Sequence, residues 1–146
     1  MGLTFSHLGI CVSDLERSVR FYRGALGFTP ADRHSIGDDF APLMELDGVK
    51  LDSQFMRRDD VTIELLHFSE PAPFGPTTRR PINQLGVTHL SLRTDDLEAA
   101  SAAVEAHGGT VVADTTTHLT MGGTELHLVY CTDPDGVRIE LMELGG

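Results

Sequence analysis

Two cysteines, Cys11 and Cys131, are too few to frame a disulfide scaffold in a chain of 146 residues. Both sit in apolar, strand-like runs and read as small buried side chains in a reducing cytosol. No stretch reaches the roughly 18 consecutive apolar residues that a membrane span needs. The first residues carry neither a basic segment nor a cleavable apolar one, so the expected location is cytoplasmic. Basic residues are scarce: 11 Lys and Arg stand against 22 Asp and Glu, a formal charge of −11. That balance argues against nucleic acid or an anionic membrane as partner, because both require a basic face. A small-molecule substrate remains, since an anionic one needs only a local basic patch such as Arg79-Arg80.

What is present is an internal repeat. Phe5-Ser6-His7-Leu8-Gly9-Ile10-Cys11-Val12-Ser13-Asp14-Leu15-Glu16 in the first half is matched by Val87-Thr88-His89-Leu90-Ser91-Leu92-Arg93-Thr94-Asp95-Asp96-Leu97-Glu98 in the second. Each reads as a histidine, alternating apolar residues, an acidic cap and the start of a helix. Leu15, Val19, Tyr22 and Leu26 recur at helical spacing, with Asp14 or Ser13 as cap and Gly27 as stop. Asp95 to His107 repeats this pattern and ends at Gly108-Gly109.

Short β-type segments follow each helix. In the first half they fall near Phe28-Thr29, Leu43 to Leu46, Val49 to Met56 and Val61 to Phe68. In the second they fall near Thr110 to Ala113, Glu125 to Tyr130 and Val137 to Glu143. Asp47-Gly48, Asp59-Asp60 and Asp133-Pro134-Asp135-Gly136 read as turns. Pro71, Pro73, Pro76 and Pro81 break any regular element. The expected organisation is one domain over 1–146, with module one at 1–68, a linker at 69–83 and module two at 84–146. Each module is β-α-β-β-β, and the linker lets modules pair within a chain or swap between two.

Four residues occupy matching places. His7 and His89 are expected on the first strand of each module, Glu64 and Glu140 on the last. Val61-Thr62-Ile63-Glu64-Leu65-Leu66 mirrors Val137-Arg138-Ile139-Glu140-Leu141-Met142. An acid flanked by apolar residues in a strand is costly to bury unless paired or metal-bound. Alternation places Glu64 on the face opposite Ile63 and Leu65. Equivalent residues of a repeat meet about a pseudo-two-fold axis, so two imidazoles and two carboxylates are expected to converge. Such a set suits one divalent metal ion per site: Zn, Ni, Co, Fe or Mn.

These motifs, with Phe21-Tyr22, Leu26-Gly27-Phe28 and Asp133-Pro134-Asp135-Gly136, resemble the vicinal oxygen chelate superfamily. That family includes glyoxalase I, methylmalonyl-CoA epimerase, extradiol dioxygenases and the fosfomycin and bleomycin resistance proteins. The resemblance covers nearly the whole chain. It implies an α+β fold of two tandem βαβββ modules forming a cup-shaped mixed β-sheet with flanking helices. It also implies metal ligands at His7, Glu64, His89 and Glu140, and a homodimer. The pattern is closest to glyoxalase I and the epimerase. The implied activity is that of a lyase or isomerase moving a proton alpha to a carbonyl through a metal-stabilised enolate. The substrate would present two vicinal oxygens. Glu140 is then the first candidate for the catalytic base, with Glu64 its partner. The epimerase carries a second acid on the third strand of module one, where Asp52 or Glu45 could stand.

Two other readings remain. An Fe(II) extradiol-type ring-cleaving dioxygenase would use His7, His89 and Glu140, and Tyr130 matches the tyrosine of its signature. The signature histidine should stand where Met121, Gly122 and Gly123 are; His118 is too far from Tyr130 and His127 too close. A non-catalytic binding or resistance protein would lack the metal ligands. Among the remaining histidines, His67 and His118 are expected as further contacts at the site.

Overall fold

The computed structural model describes residues 2–145; Met1 and Gly146, the outermost positions of the expected domain, lie outside the described residues. The chain divides into two compact units. The first holds the residues up to Arg23 together with Gly27–Gly75, and the second holds Gly24–Leu26 and the residues from Pro76 onward. Each unit is built on a four-stranded mixed sheet with a helix against it, in the tandem βαβββ order.

In the first unit the elements are β1 (Leu8–Cys11), α1 (Leu15–Gly24), β2 (Thr29–Ile36), α2 (Ala41–Met44), β3 (Lys50–Arg58) and β4 (Val61–Glu70). The strand order is β1-β4-β3-β2, with β1 parallel to β4 and the other pairs antiparallel. Helix α1 starts where the Arg17 backbone N–H donates to Asp14 Oδ1 at 2.9 Å, which satisfies one of the orphan donors of its first turn. It ends at Gly24, and the turn after it closes at Gly27, whose φ of 70° is the left-handed conformation a glycine adopts without cost. Phe21 and Tyr22 are fully buried and meet edge to face at 5.3 Å. Ile63, Leu65 and Met56 are fully buried as well. Register places these three on one face of the sheet, so burial of each stabilises the unit by about 1.5–3 kcal/mol.

Leu43 to Leu46, expected as a strand, is instead the end of the short helix α2 and the turn that follows it. Pro42 in its first turn carries no N–H to waste, and Glu45 ends it with φ 57°. Ala41 packs with Val49 and Leu51, and Ile36, Leu66 and Phe68 join them. By register Leu51, Leu66, Phe68 and Ile36 lie on the face that carries Glu64, so α2 covers one end of that face.

In the second unit the elements are β5 (Leu90–Thr94), α3 (Leu97–Ala106), β6 (Thr110–Met121), β7 (Thr124–Thr132) and β8 (Arg138–Leu144). The strand order, β5-β8-β7-β6, repeats that of the first unit. Asp96 caps α3 by accepting the Ala99 N–H at 2.8 Å. Val104, Val129, Cys131, Ile139 and Leu141 are all buried. The β7–β8 turn is tied by Asp133, whose Oδ1 accepts the N–H groups of Asp135 at 2.9 Å and Val137 at 2.8 Å. Gly136 is obligatory there: a Cβ would meet Thr77 O at 2.6 Å, and φ is 86°. Cys131 is buried as expected, but Cys11 is exposed because its side chain leaves the sheet on the Glu64 face and not toward α1. No helix among the described residues is long and apolar enough to cross a membrane.

Candidate metal centre

Glu64 and Glu140 occupy equivalent places at the middle of β4 and β8. Each is flanked by residues buried on the opposite face, Ile63 and Leu65 in one unit, Ile139 and Leu141 in the other. Each is paired in register with a β1 or β5 residue, Gly9 for Glu64 and Ser91 for Glu140. His7 and His89 do not lie on the first strands as expected. Each stands one residue before its strand, because ladder pairing begins at Leu8 and Leu90.

Both histidines are nevertheless held on the glutamate's side. In the first unit His7 Nε2 lies 3.1 Å from Glu64 Oε2, with the two side chains 35% and 13% exposed. In the second, His89 Nε2 lies 3.9 Å from Glu140 Oε1. The other ring nitrogen is secured in the same way in both units. Ser6 Oγ is 2.8 Å from His7 Nδ1, and Thr88 Oγ1 is 2.8 Å from His89 Nδ1. A hydroxyl can donate or accept, so it supports either tautomer. When it accepts from Nδ1–H, the Nε2 lone pair is left for a metal ion.

An aromatic ring supports each imidazole. Phe55 stands opposite Glu64 across the β3–β4 ladder and meets His7 edge to face at 5.1 Å. Tyr130 stands opposite Glu140 and meets His89 at 5.5 Å. The carboxylates are secured by serines: Ser53 Oγ donates to Glu64 Oε1 at 2.5 Å and Ser91 Oγ to Glu140 Oε1 at 2.8 Å. A cavity of about 140 Å³ beside Glu140 is lined by Thr115, Thr117, Leu128 and Tyr130 among others.

The donor chemistry of each pair fits a divalent cation. Two ligands about 2.1 Å from one ion lie roughly 3.0–3.4 Å apart. The 3.1 Å of His7 and Glu64 falls in that range, and the 3.9 Å of His89 and Glu140 needs a small contraction. Each unit holds one such pair. Among the described residues no three or more His, Cys, Asp or Glu side chains are grouped so as to hold an ion.

Register removes several other candidates. Asp52 pairs with His67 across β3–β4, on the face opposite Glu64, and accepts from Ser35 Oγ at 2.7 Å. Glu45 lies at the end of α2 and is exposed, not on a strand. Neither can serve as a second acid beside Glu64. His67 is three residues from Glu64 on the same strand, hence on the other face. His118 pairs with His127 on the face opposite Glu140. Both expected further contacts are thus excluded by strand alternation. Ser53 and Ser91 carry no signal in the sequence that marks them as partners of the carboxylates. The hydroxyl preceding each histidine, Ser6 and Thr88, is visible as part of the repeat.

Comparison with known proteins agrees with this architecture. The chain is 28% identical over 142 residues to the uncharacterised protein YaeR of Escherichia coli (strain K12), covering 94% of this chain and 93% of YaeR. It is 28% identical over 137 residues to a probable lactoylglutathione lyase of Vibrio parahaemolyticus, covering 94% of this chain and 88% of that protein. The crystal structure of a glyoxalase family protein from Bacillus cereus superposes with a TM-score of 0.84 at 21% identity, covering 100% of this chain and 97% of the other. Residues 4–141 match the family model of the Glyoxalase/Bleomycin resistance protein/Dioxygenase superfamily, and the chain belongs to that superfamily.

Proposed function

We propose that the chain is a divalent-metal-dependent lyase or isomerase that transfers a proton alpha to a carbonyl. The observation that carries this reading is the duplicated His–Glu pair, with each histidine's Nδ1 on a neighbouring hydroxyl and its Nε2 facing the carboxylate. His7, Glu64, His89 and Glu140 would be the protein ligands of one ion of Zn, Ni, Co, Fe or Mn. When bound, the cation supplies a Lewis acid for the two vicinal oxygens of a small substrate. The relative from Vibrio parahaemolyticus named as a probable lactoylglutathione lyase supports lyase chemistry.

The chain's own residues then divide the work. Glu140, beside the cavity lined by Thr115, Thr117 and Leu128, is the base that takes the substrate proton. Ser91 steadies its Oε1. Glu64, more buried and held by Ser53, is its partner at the same centre. Thr117, which also lines the cavity, donates its own hydroxyl proton to Thr115 O. The ring-cleaving alternative needs a further histidine near Tyr130. His118 and His127 are both on the other face of the sheet, which favours proton transfer.

A homodimer is part of the same proposal. Leu3 and Phe5 in the first unit, and Leu85 and Val87 in the second, are exposed at 95%, 75%, 95% and 61%, so each unit offers a second copy apolar side chains. Sedimentation velocity at micromolar concentration should report a dimer.

The decisive experiment is metal analysis of the purified protein, followed by solvent-deuterium exchange into hemithioacetal and thioester substrates. Metal-dependent exchange, abolished in Glu140→Gln, is the expected result. Oxygen uptake on catechols with bound iron would replace this reading by ring cleavage. Absence of metal after reconstitution would leave a binding protein.

A further inference from the structure

On the face of the second sheet opposite Glu140, three adjacent strands carry His118, His127 and Glu143 in one row. Ladder register sets His118 opposite His127 and His127 opposite Glu143. The two imidazole rings are 4.3 Å apart between centroids, tilted by 41°. His127 Nδ1 faces Glu143 Oε1 at 3.7 Å, and Glu143 Oε2 accepts the Leu97 N–H at 2.7 Å. That second bond fastens the carboxylate to the first turn of α3. His118 is exposed and the His127 side chain is 33% exposed, so an ion can reach both.

From this row we infer that the chain carries a second transition-metal site, a two-imidazole site on β6 and β7 completed by water. Two imidazoles bound to one ion at about 2.0–2.1 Å place their ring centroids roughly 4.5–5 Å apart. The observed 4.3 Å needs a shift of less than an ångström. A metal-ligating histidine usually directs its other ring N–H to a carboxylate, which fixes the tautomer and raises ligand basicity. Glu143 Oε1, 3.7 Å from His127 Nδ1, would take up that role after a shift of less than an ångström, leaving Nε2 as the ligating atom. The ligand is a borderline divalent cation that favours imidazole, Zn²⁺, Ni²⁺ or Cu²⁺, and not Mg²⁺ or Ca²⁺, which favour all-oxygen sites. Coordination would staple β6 to β7 along the His118–His127 rung.

The test separates this site from the proposed catalytic one. Titration of the full-length His7→Gln/His89→Gln variant with Ni²⁺ alone should still show one equivalent bound per chain. Adding His118→Gln or His127→Gln should abolish it, while adding His34→Gln, a histidine of the other unit, should not. Glu143→Gln keeps an acceptor for Leu97 and should weaken binding about ten-fold. In the unaltered chain, Zn²⁺ should perturb the ring-proton resonances of His118 and His127. No Ni²⁺ bound by the double variant, or binding that survives loss of either His118 or His127, overturns the inference. So does Zn²⁺ leaving those two ring signals unmoved. A failed catalytic reading would leave all of these outcomes unchanged.

Discussion

Tyr130 stands directly opposite Glu140 on the β7–β8 ladder, and its ring meets that of His89 at 5.5 Å. Phe55 bears the same relation to Glu64 and His7. In each unit one cross-strand aromatic therefore braces the imidazole that faces the carboxylate. The guanidinium of Arg138 lies 5.2 Å from the Tyr130 centroid and donates to Arg80 O at 2.7 Å, so the ring is held from a second side.

Removing the brace should loosen the ligand before it unfolds the protein. Ring contacts of this kind contribute about 0.5–1.5 kcal/mol. Tyr130→Phe keeps the contact and should bind metal as the parent chain does. Tyr130→Ala should weaken binding about three- to ten-fold. Competition with a chromogenic chelator reads both.

The serines behind the two carboxylates should differ in weight. Ser53 is fully buried and donates to Glu64, whereas Ser91 is exposed and donates to Glu140. A hydrogen bond to a charged group is worth about 1.5–3 kcal/mol where water cannot replace it. Ser53→Ala should therefore lower stability by that amount in urea unfolding. Ser91→Ala should cost less than about 1 kcal/mol, since solvent reaches the carboxylate.

The repeat made the central strands and the four candidate ligands legible. Ile63-Glu64-Leu65 and Ile139-Glu140-Leu141 alternate because one face of β4 and β8 packs inside the unit. The edge strands were much harder to read. β2 and β6 lie at sheet edges, with mostly exposed side chains, so Pro30 to Ile36 and Asp114 to Met121 show no two-residue hydrophobic period. A bulge between Pro30 and Arg33 shifts β2 as well. Asp52, His67 and His118 cannot be assigned to a face from the sequence for a related reason. Residue type marks a side chain as able to reach a site, but only ladder register decides its face.

The two thiols should behave oppositely. Burial pushes Cys131 from 9.0 up to about 12, while Cys11 is exposed. A disulfide reagent at pH 8 should label Cys11 quickly and Cys131 only on unfolding, with two thiols reacting in denaturant. The raised value also sets a pH dependence. An unfolded thiol ionises near 9 while the folded one stays neutral, so stability is full below about pH 9 and falls as pH rises toward 12. Cys131→Ala should flatten that alkaline loss, measured by thermal melts from pH 8 to 11.

The cap of α1 gives the acid side of the profile. The Arg17 backbone N–H holds the Asp14 carboxyl below its usual 3.8, against an opposing desolvation, and the positive charges of Arg17, Arg20 and His67 lower it further. A carboxylate depressed in the fold stabilises it above 3.8, and that contribution is lost as pH falls through the folded value. Asp14→Asn should keep a cap by hydrogen bond while removing the charge, so the urea-unfolding midpoint should change less steeply with pH below 4. Asp96 makes the equivalent bond to Ala99 N–H at 2.8 Å in the second unit. Asp96→Ala should cost about 1 kcal/mol, the usual loss when an N-cap acceptor is removed. Amide hydrogen exchange locates the effect: protection should fall in the first turn of α3, at Leu97 to Ala100. Equal loss of protection across β7 and β8 would show that Asp96 supports the whole unit and not its helix alone.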